Sequence, residues 1–308
     1  MVACCDLNEK RLHNINSIYP AIEVSTDYKS VIENSQIDLV TVCTPVNTHF
    51  EIAKAALEAG KHVLIEKPMT SSSKDAEELI NLAESKNLKI FVDHTFLFTG
   101  AVRKIKEVVE NGELGDLYYF DSVRINLGLF QHDVNVLWDL APHDISIMCY
   151  LLDLKPLSVV ATGADHTGSG FENVAYLTVY FDNNVIAHFH TNWLSPVKIR
   201  QTLIAGSKKM IVWDDNEPSE KVRIYDKGIE VVKTADEVYN MLIQYRTGDM
   251  YCPKIANLEA LAVEVDHVAD CINGDDRPVA DGNAGAMVTR ILEAAQESVK
   301  NRGKEVSI

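Results

Sequence analysis

The chain has 308 residues, and 29 Lys and Arg set against 45 Asp and Glu give it a formal net charge of -16. With 46% hydrophobic and 24% charged residues it has an ordinary globular composition, long enough for about two domains of roughly 150 residues each. The acidic balance, with no basic run longer than Lys208-Lys209, argues against nucleic acid, and no apolar run approaches the roughly 18 residues of a membrane span. Met1 to Asp6 meets acidic residues too early for a signal peptide, so a cytoplasmic protein is expected, binding neither nucleic acid nor membrane. The six cysteines form no C-x-x-C pair and are expected to be buried, reduced thiols.

Along the first third, short apolar runs alternate with helical patterns. Residues 2–5 read as a strand, 8–17 as a helix, 22–24 as a weak strand and 28–34 as a short helix. Then come a β-branched strand over 38–43, a helix over 48–59 stopped by Gly60, a strand over 62–65, a helix over 73–86 and a strand over 89–92. Continuous apolar strands separated by ten-residue helices predict a parallel sheet covered on both faces, a doubly wound α/β domain.

A helix over 101–111 and the turn Gly112-Glu-Leu-Gly115 change the rhythm. Strands are predicted over 118–125, 157–161, 173–181, 185–193, 199–205, 209–213 and 222–225, several joined by hairpin turns such as Asp182-Asn-Asn184. Helices are predicted over 139–152, 258–273 and 283–301. The expected second domain is α+β, a large and mainly antiparallel sheet with helices on one face. Residues 1–97 make the first domain in this reading and 98–308 the second.

In a doubly wound sheet, ligands bind beyond the carboxyl ends of the strands. Four strand ends carry polar groups: Asp6, Thr44-Pro45, Glu66-Lys67-Pro68 and Asp93-His94. Asp6 stands where a dinucleotide fold places the acid that binds the ribose hydroxyls, but that acid normally follows a G-x-G-x-x-G turn by about 20 residues, and none precedes Asp6. The parallel sheet is therefore expected to lack its first strand. Three explanations stand open: about 30 residues missing ahead of Met1, a naturally shortened paralogue, or a different use of the first strand.

The runs Cys43-Thr-Pro-Val-Asn-Thr-His49 and Ala59-Gly-Lys-His-Val-Leu-Ile-Glu-Lys-Pro68 are similar to those of the Gfo/Idh/MocA oxidoreductases, the group of glucose-fructose oxidoreductase and inositol dehydrogenase. Glu66-Lys67-Pro68 resembles the family's E-K-P signature, Gly112-Glu-Leu-Gly-Asp116 its entry to the second domain, and Asp139-x-x-x-His143 its second catalytic element. The segments from Trp138 to Asp144 and from Trp193 to Arg200 look most like members that oxidise nucleotide sugars, such as UDP-N-acetylglucosamine or its uronate, at C3. The resemblance implies a Rossmann-type first domain, an NAD(P)-dependent sugar dehydrogenase, a cis Lys67-Pro68 bond and a homodimer or homotetramer.

Moving a hydride from a carbinol to nicotinamide needs a base for the hydroxyl proton and a donor for the developing oxyanion. His143 suits the first role and Lys67 the second. Asp139, one helical turn before His143, caps the helix or orients the imidazole, and Pro142 is expected in a first helical turn, which puts the helix's positive end beside the site. On the cofactor side the resemblance adds Thr44, Pro45, Asn47, His49, Glu66 and Lys67 to Asp6, with Asn47 or Thr48 read equally as a helix cap. Asp6 favours NAD over NADP, because a carboxylate repels a 2′-phosphate, although Arg11 softens this. His94, Arg124, Asn126, Asn192, Lys198 and Arg200 are candidates for holding the substrate. Glu264, His267 and Asp270 share a helix stripe that reads as solvated, and no metal is expected. The competing reading is a catalytically silent sugar-binding or scaffold paralogue that has lost dinucleotide binding.

Overall fold

The computed structural model describes residues 1–128, 131, 134–231, 243–274 and 276–308. They fall into two units, residues 1–94 with 264–289 and residues 95–263 with 290–308. The expected division into 1–97 and 98–308 gave the whole of 264–289 to the second domain. That segment groups with the first because Val268 and Cys271 pack with Leu64 and Phe91, while Ala286 joins the core of Ile65 and Val92.

The first unit runs β1 (Ala3–Cys5), α1 (Glu9–Ile18), β2 (Glu23–Ser25), α2 (Tyr28–Ile32), β3 (Leu39–Val42), α3 (Val46–Glu58), β4 (His62–Glu66), α4 (Ser73–Ser85) and β5 (Ile90–Asp93). Local chemistry starts the helices. Asn8 Oδ1 accepts from Lys10 N at 3.0 Å at the head of α1, and Ser72 Oγ accepts from Asp75 N at 3.1 Å at the head of α4. β3, β4 and β5 form a parallel sheet in which Ile65 pairs with Val92 and Glu66 with Asp93. Val63 and Ile65 face Ala53, Ala56 and Leu57 of α3 and Leu79 of α4, whereas Leu64 between them faces the other side. Burial on both faces explains why Val63, Leu64 and Ile65 are all apolar. β1 and β2 form a separate parallel pair, and among the described residues no ladder joins β1 to β3.

The second unit opens with a 3-10 turn (Thr95–Phe98) and α5 (Gly100–Glu110), followed by β6 (Leu117–Leu127), α6 (Val136–Leu152), β7 (Pro156–Ala164), β8 (Val174–Phe181), β9 (Ile186–Asn192), β10 (Leu194–Gly206), β11 (Met210–Asp214), β12 (Val222–Tyr225), β13 (Gly228–Val231), β14 (Ile243–Arg246) and β15 (Met250–Tyr251). The chain ends with α7 (Ala260–Asn273), α8 (Gly282–Lys300) and β16 (Val306–Ser307). Among the described residues nine strands build one sheet in the order β15-β12-β11-β10-β6-β9-β8-β7-β16, and β13 pairs with β14 separately. The pairs are antiparallel except β6 with β9, which run parallel, so the large sheet is mixed. On β8, Ala175, Leu177 and Val179 are buried while Tyr176 and Tyr180 are exposed, the alternation of a sheet with α6 against one face.

Two sequence expectations need correcting. α6 starts at Val136, not 139, because Asn135 is its cap and accepts from Trp138 N at 3.1 Å. Pro142 is therefore inside the helix, and His143 lies beyond the first turn, where the terminal dipole has largely faded. The cysteines are all free, but only Cys271 is buried, and Cys43 and Cys252 are exposed. Among the described residues no helix is long and apolar enough to cross a membrane.

Candidate active site

In the first unit, the carboxyl ends of the strands collect polar groups. Lys67 and Pro68 leave β4 through a cis peptide bond, as the resemblance implied. Glu66 Oε2 accepts from Lys67 N at 3.0 Å, and Glu66 pairs in register with Asp93 across the sheet. Burial pushes the Glu66 carboxyl up, the neighbouring Asp93 pushes it further, and Lys67 opposes both. His94 follows directly, 1% exposed, and neither ring nitrogen has a partner among the described residues. Burial lowers its pKa to about 4, Lys67 acting in the same direction and Asp93 against it. The imidazole is therefore neutral at ordinary pH.

Thr44, Pro45 and Asn47 are exposed at the end of β3. Pro45 occupies the cap position of α3 and no side chain caps it, so the expected cap by Asn47 or Thr48 does not form. The Thr48 hydroxyl instead lies 2.7 Å from Thr44 Oγ1 and from Pro45 O. His49 is buried, with Nε2 2.7 Å from Thr44 O and Nδ1 3.0 Å from Pro68 O. Both nitrogens face backbone carbonyls, so His49 ties the loop after β3 to the loop after β4 and offers no free ring nitrogen. Asp6 ends β1 with its side chain part-exposed. It accepts from Asn8 N at 2.8 Å and pairs with Arg11 at 3.3 Å; the bond from Asn8 N holds its carboxyl below the usual range, burial opposes this, and Arg11 adds to the lowering.

In the second unit, α6 carries Asp139 and His143 one turn apart. Trp193 Nε1 donates to Asp139 Oδ2 at 3.0 Å, which makes Asp139 an acceptor from indole rather than a helix cap. Gly128 allows this: a Cβ there would come within 2.7 Å of Trp193 Cδ1. The Phe96 ring meets His143 edge-on at 5.1 Å and has the Arg124 guanidinium 4.7 Å and the Arg200 guanidinium 6.0 Å from its centroid.

Arg124 and Arg200 are register partners on β6 and β10. Arg124 is buried and bidentate to Asp144, Nε to Oδ2 at 2.8 Å and Nη2 to Oδ1 at 2.7 Å. Burial works against its charge, but Asp144 outweighs it and the pKa is raised. Arg200 lies 3.7 Å from Asp215, and its pKa is lowered by burial and then by Arg124. The cavity lined by Arg124, Asp144, Arg200, Thr202, Trp213 and Asp215 has a volume of about 10 Å³, room for one water and not for a sugar.

The remaining candidates are scattered. Asn192 Oδ1 accepts from Leu194 N at 2.6 Å, Asn126 is half-buried on β6, and Lys198 is exposed where β10 slips register against β6. On α7, Glu264 is buried and His267 Nε2 accepts from Val279 N at 3.1 Å, so the stripe expected to be solvated is partly packed inward. Phe96 was not singled out in the sequence, and Asp144 and Trp193 entered only as ends of the segments 138–144 and 193–200, with no role given to either; the signal for Trp193 was an aromatic residue directly after a strand, with Gly128 as its small neighbour.

Among curated proteins, an uncharacterized oxidoreductase of Schizosaccharomyces pombe is 42% identical over 104 residues, 34% of this chain and 28% of that relative. The UDP-N-acetylglucosamine 3-dehydrogenase of Acidithiobacillus ferrooxidans is 26% identical over 270 residues, 85% of this chain and 77% of the relative. Its solved structure superposes with a TM-score of 0.80 at 21% identity, covering 98% of this chain and 90% of that one, a likeness of fold. The myo-inositol 2-dehydrogenase of Thermotoga maritima is 23% identical over 319 residues, 98% of this chain and 89% of the relative. The family model described as an oxidoreductase family with an NAD-binding Rossmann fold matches residues 1–94, and the model for the GFO/IDH/MocA C-terminal domain matches residues 102–212. Two models of one family, in order and spanning about two thirds of the sequence, mean that this chain belongs to the GFO/IDH/MocA oxidoreductases.

Proposed function

We propose that the protein is an NAD-dependent dehydrogenase that oxidises a carbinol of a nucleotide sugar, UDP-N-acetylglucosamine or its uronate, at C3. The observation that carries this reading is Lys67, which stands at the carboxyl end of β4 beside Glu66 and His94 within a family of NAD-binding oxidoreductases. Similarity over most of the chain to a UDP-N-acetylglucosamine 3-dehydrogenase supports the substrate class.

The residues present suit the cofactor at one point: Asp6 keeps a part-exposed, ionised carboxylate for ribose hydroxyls. Because Arg11 is already paired with Asp6, it lends little to a 2′-phosphate, which favours NAD over NADP. NAD, when bound, supplies the hydride acceptor. His143 takes the hydroxyl proton, while Lys67 steadies the charge on the oxygen as the carbinol becomes a ketone. Asp139, held by Trp193, lies one turn from His143 on the same helix and orients it. Thr44, Pro45 and Asn47 border the cofactor at the end of β3, and Arg200, Asn126, Asn192 and Lys198 serve the substrate.

The exposed Tyr176, Tyr180 and Ile186, on the face of the large sheet away from α6, support a homodimer or homotetramer, which sedimentation velocity measures. For the chemistry, purified protein is given NAD and a panel of UDP sugars and NADH formation is followed. Lys67→Ala and His143→Ala should each lower kcat by about 10²–10⁴ while leaving the circular dichroism spectrum unchanged. Full rates in either variant would remove the residue from the mechanism. Sugar binding with no NAD reduction would favour the silent paralogue.

A further inference from the structure

His49 is a buried histidine with a partner at each ring nitrogen. It stands in the opening turn of α3 and is 1% exposed, with the fully buried Ala53 one turn further on. Its Nε2 lies 2.7 Å from Thr44 O and its Nδ1 3.0 Å from Pro68 O. Carbonyl oxygens only accept, so each contact needs a hydrogen on the ring nitrogen, and the doubly protonated ring serves both at once. One carbonyl belongs to the loop after β3 and the other to the loop after β4, so a single side chain holds two strand-end loops.

The loop after β4 is the one that presents Lys67. Its near end is fixed where β4 lies between β3 and β5, and its far end where Thr70 Oγ1 donates to Ser72 O at 2.8 Å and Ser72 Oγ accepts from Asp75 N at 3.1 Å. Pro68 lies between these anchors, one residue past Lys67, and its carbonyl is the atom that His49 holds. Proline has no backbone N–H, so the carbonyl is the backbone group through which that position can be tied down. Fixing the peptide next to Lys67 restricts where the ammonium can stand, and a shift of about 1 Å in a reacting geometry can cost about 10²-fold in rate. We propose that His49 is a positioning residue for Lys67, acting through its Nδ1 bond to Pro68 O, while its Nε2 bond to Thr44 O fixes the loop that borders the cofactor. This rests on the dehydrogenase reading above.

Two conservative variants separate the two bonds. The amide nitrogen of Asn is two bonds from Cβ, as Nδ1 is, and that of Gln is three bonds from Cβ, as Nε2 is. His49→Asn therefore keeps the bond to Pro68 O, and His49→Gln keeps the bond to Thr44 O. NADH formation from NAD and a UDP sugar is measured for the full chain and both variants, and amide hydrogen exchange at Lys67, Met69, Thr44 and Val46 is followed without NAD. The expected result for His49→Gln is kcat lowered about tenfold with the KM for NAD within about twofold, and faster exchange at Lys67 and Met69. His49→Asn should recover most of the lost kcat, with the KM for NAD raised and the faster exchange moved to Thr44 and Val46. If His49→Gln turns over at the full rate, the proposal is overturned. If His49→Asn loses as much kcat as His49→Gln, or both variants speed exchange at the same amides, His49 acts through the stability of the fold and the proposal also fails. If the unmodified chain forms no NADH on any UDP sugar, the dehydrogenase reading falls and takes the proposal with it, an outcome distinct from the other two.

Discussion

Arg124, on β6, and His94, directly after β5, are both buried polar side chains, and the first has its partner while the second has none among the described residues. In the second unit, Arg124 gives two hydrogen bonds to Asp144 and lies over Phe96. In the first, Glu66 and Asp93 sit side by side as register partners, and His94 has no partner for either nitrogen. A satisfied pair keeps its charges inside the fold, whereas a buried imidazole without a partner is held uncharged by its surroundings. Composition does not tell these apart, since Arg124 looked as suitable for an anionic substrate as any cation in the sequence.

The largest effect should come from breaking the satisfied pair. Arg124→Ala leaves Asp144 buried and unpaired, and urea denaturation should show a loss of about 3–5 kcal/mol, while the double variant Arg124→Met, Asp144→Leu should recover most of it. A stable Arg124→Ala protein with a raised KM for the sugar would instead make Arg124 a substrate contact. Next comes His94, whose folded pKa of about 4 lies below the ordinary 6.5. Between those values the unfolded chain binds the proton and the folded chain does not, so stability rises with pH. The contribution is complete above 6.5 and lost as pH falls through 4, and it amounts to about 3 kcal/mol. The unfolding free energy of the unmodified protein minus that of His94→Gln, measured across this window, should show that slope; a flat difference would mean that the ring is already charged or exposed.

Trp193→Phe removes the donor to Asp139 and should cost about 1.5–3 kcal/mol, with kcat falling more than KM changes if Asp139 orients His143. Equal kinetics with lower stability would limit Trp193 to packing. The smallest effect is expected at Asp165, a carboxylate satisfied by its own loop through Gly170 N at 2.8 Å and Thr167 N and Gly168 N at 2.9 Å, which draw its pKa down to about 2. Its contribution is present above the usual carboxylate pKa and is lost as pH falls through 2. Asp165→Asn should speed hydrogen exchange at Gly168 and Gly170 and leave turnover alone; a drop in turnover would tie this loop to the site.

Much of the fold was legible because its physics is local. The apolar run at Val63, Leu64 and Ile65 announces a strand covered on both faces, and Gly60 marks the stop of α3. What stayed hidden depends on distant partners. Nothing near residue 135 in the sequence says that Asn135, rather than Asp139, caps α6, because Asp139 is claimed by Trp193, more than fifty residues away. The return of 264–289 to the first unit depends on Val268 meeting Phe91, a contact without a sequence signature. At the site, Glu66-Lys67-Pro68 and the spacing of Asp139 and His143 could be read directly. The pairing of Arg124 with Asp144 and the turn of His49 toward two carbonyls needed the folded strands and loops themselves.

The central claim, hydride transfer from a nucleotide sugar with Lys67 and His143 as working groups, is tested most directly by NADH formation from NAD and UDP-N-acetylglucosamine or its uronate. The expected result is turnover by the unmodified protein that drops by at least about a hundredfold in both Lys67→Ala and His143→Ala. Turnover that survives both substitutions would contradict the account, as would the absence of any NAD reduction across the UDP-sugar panel.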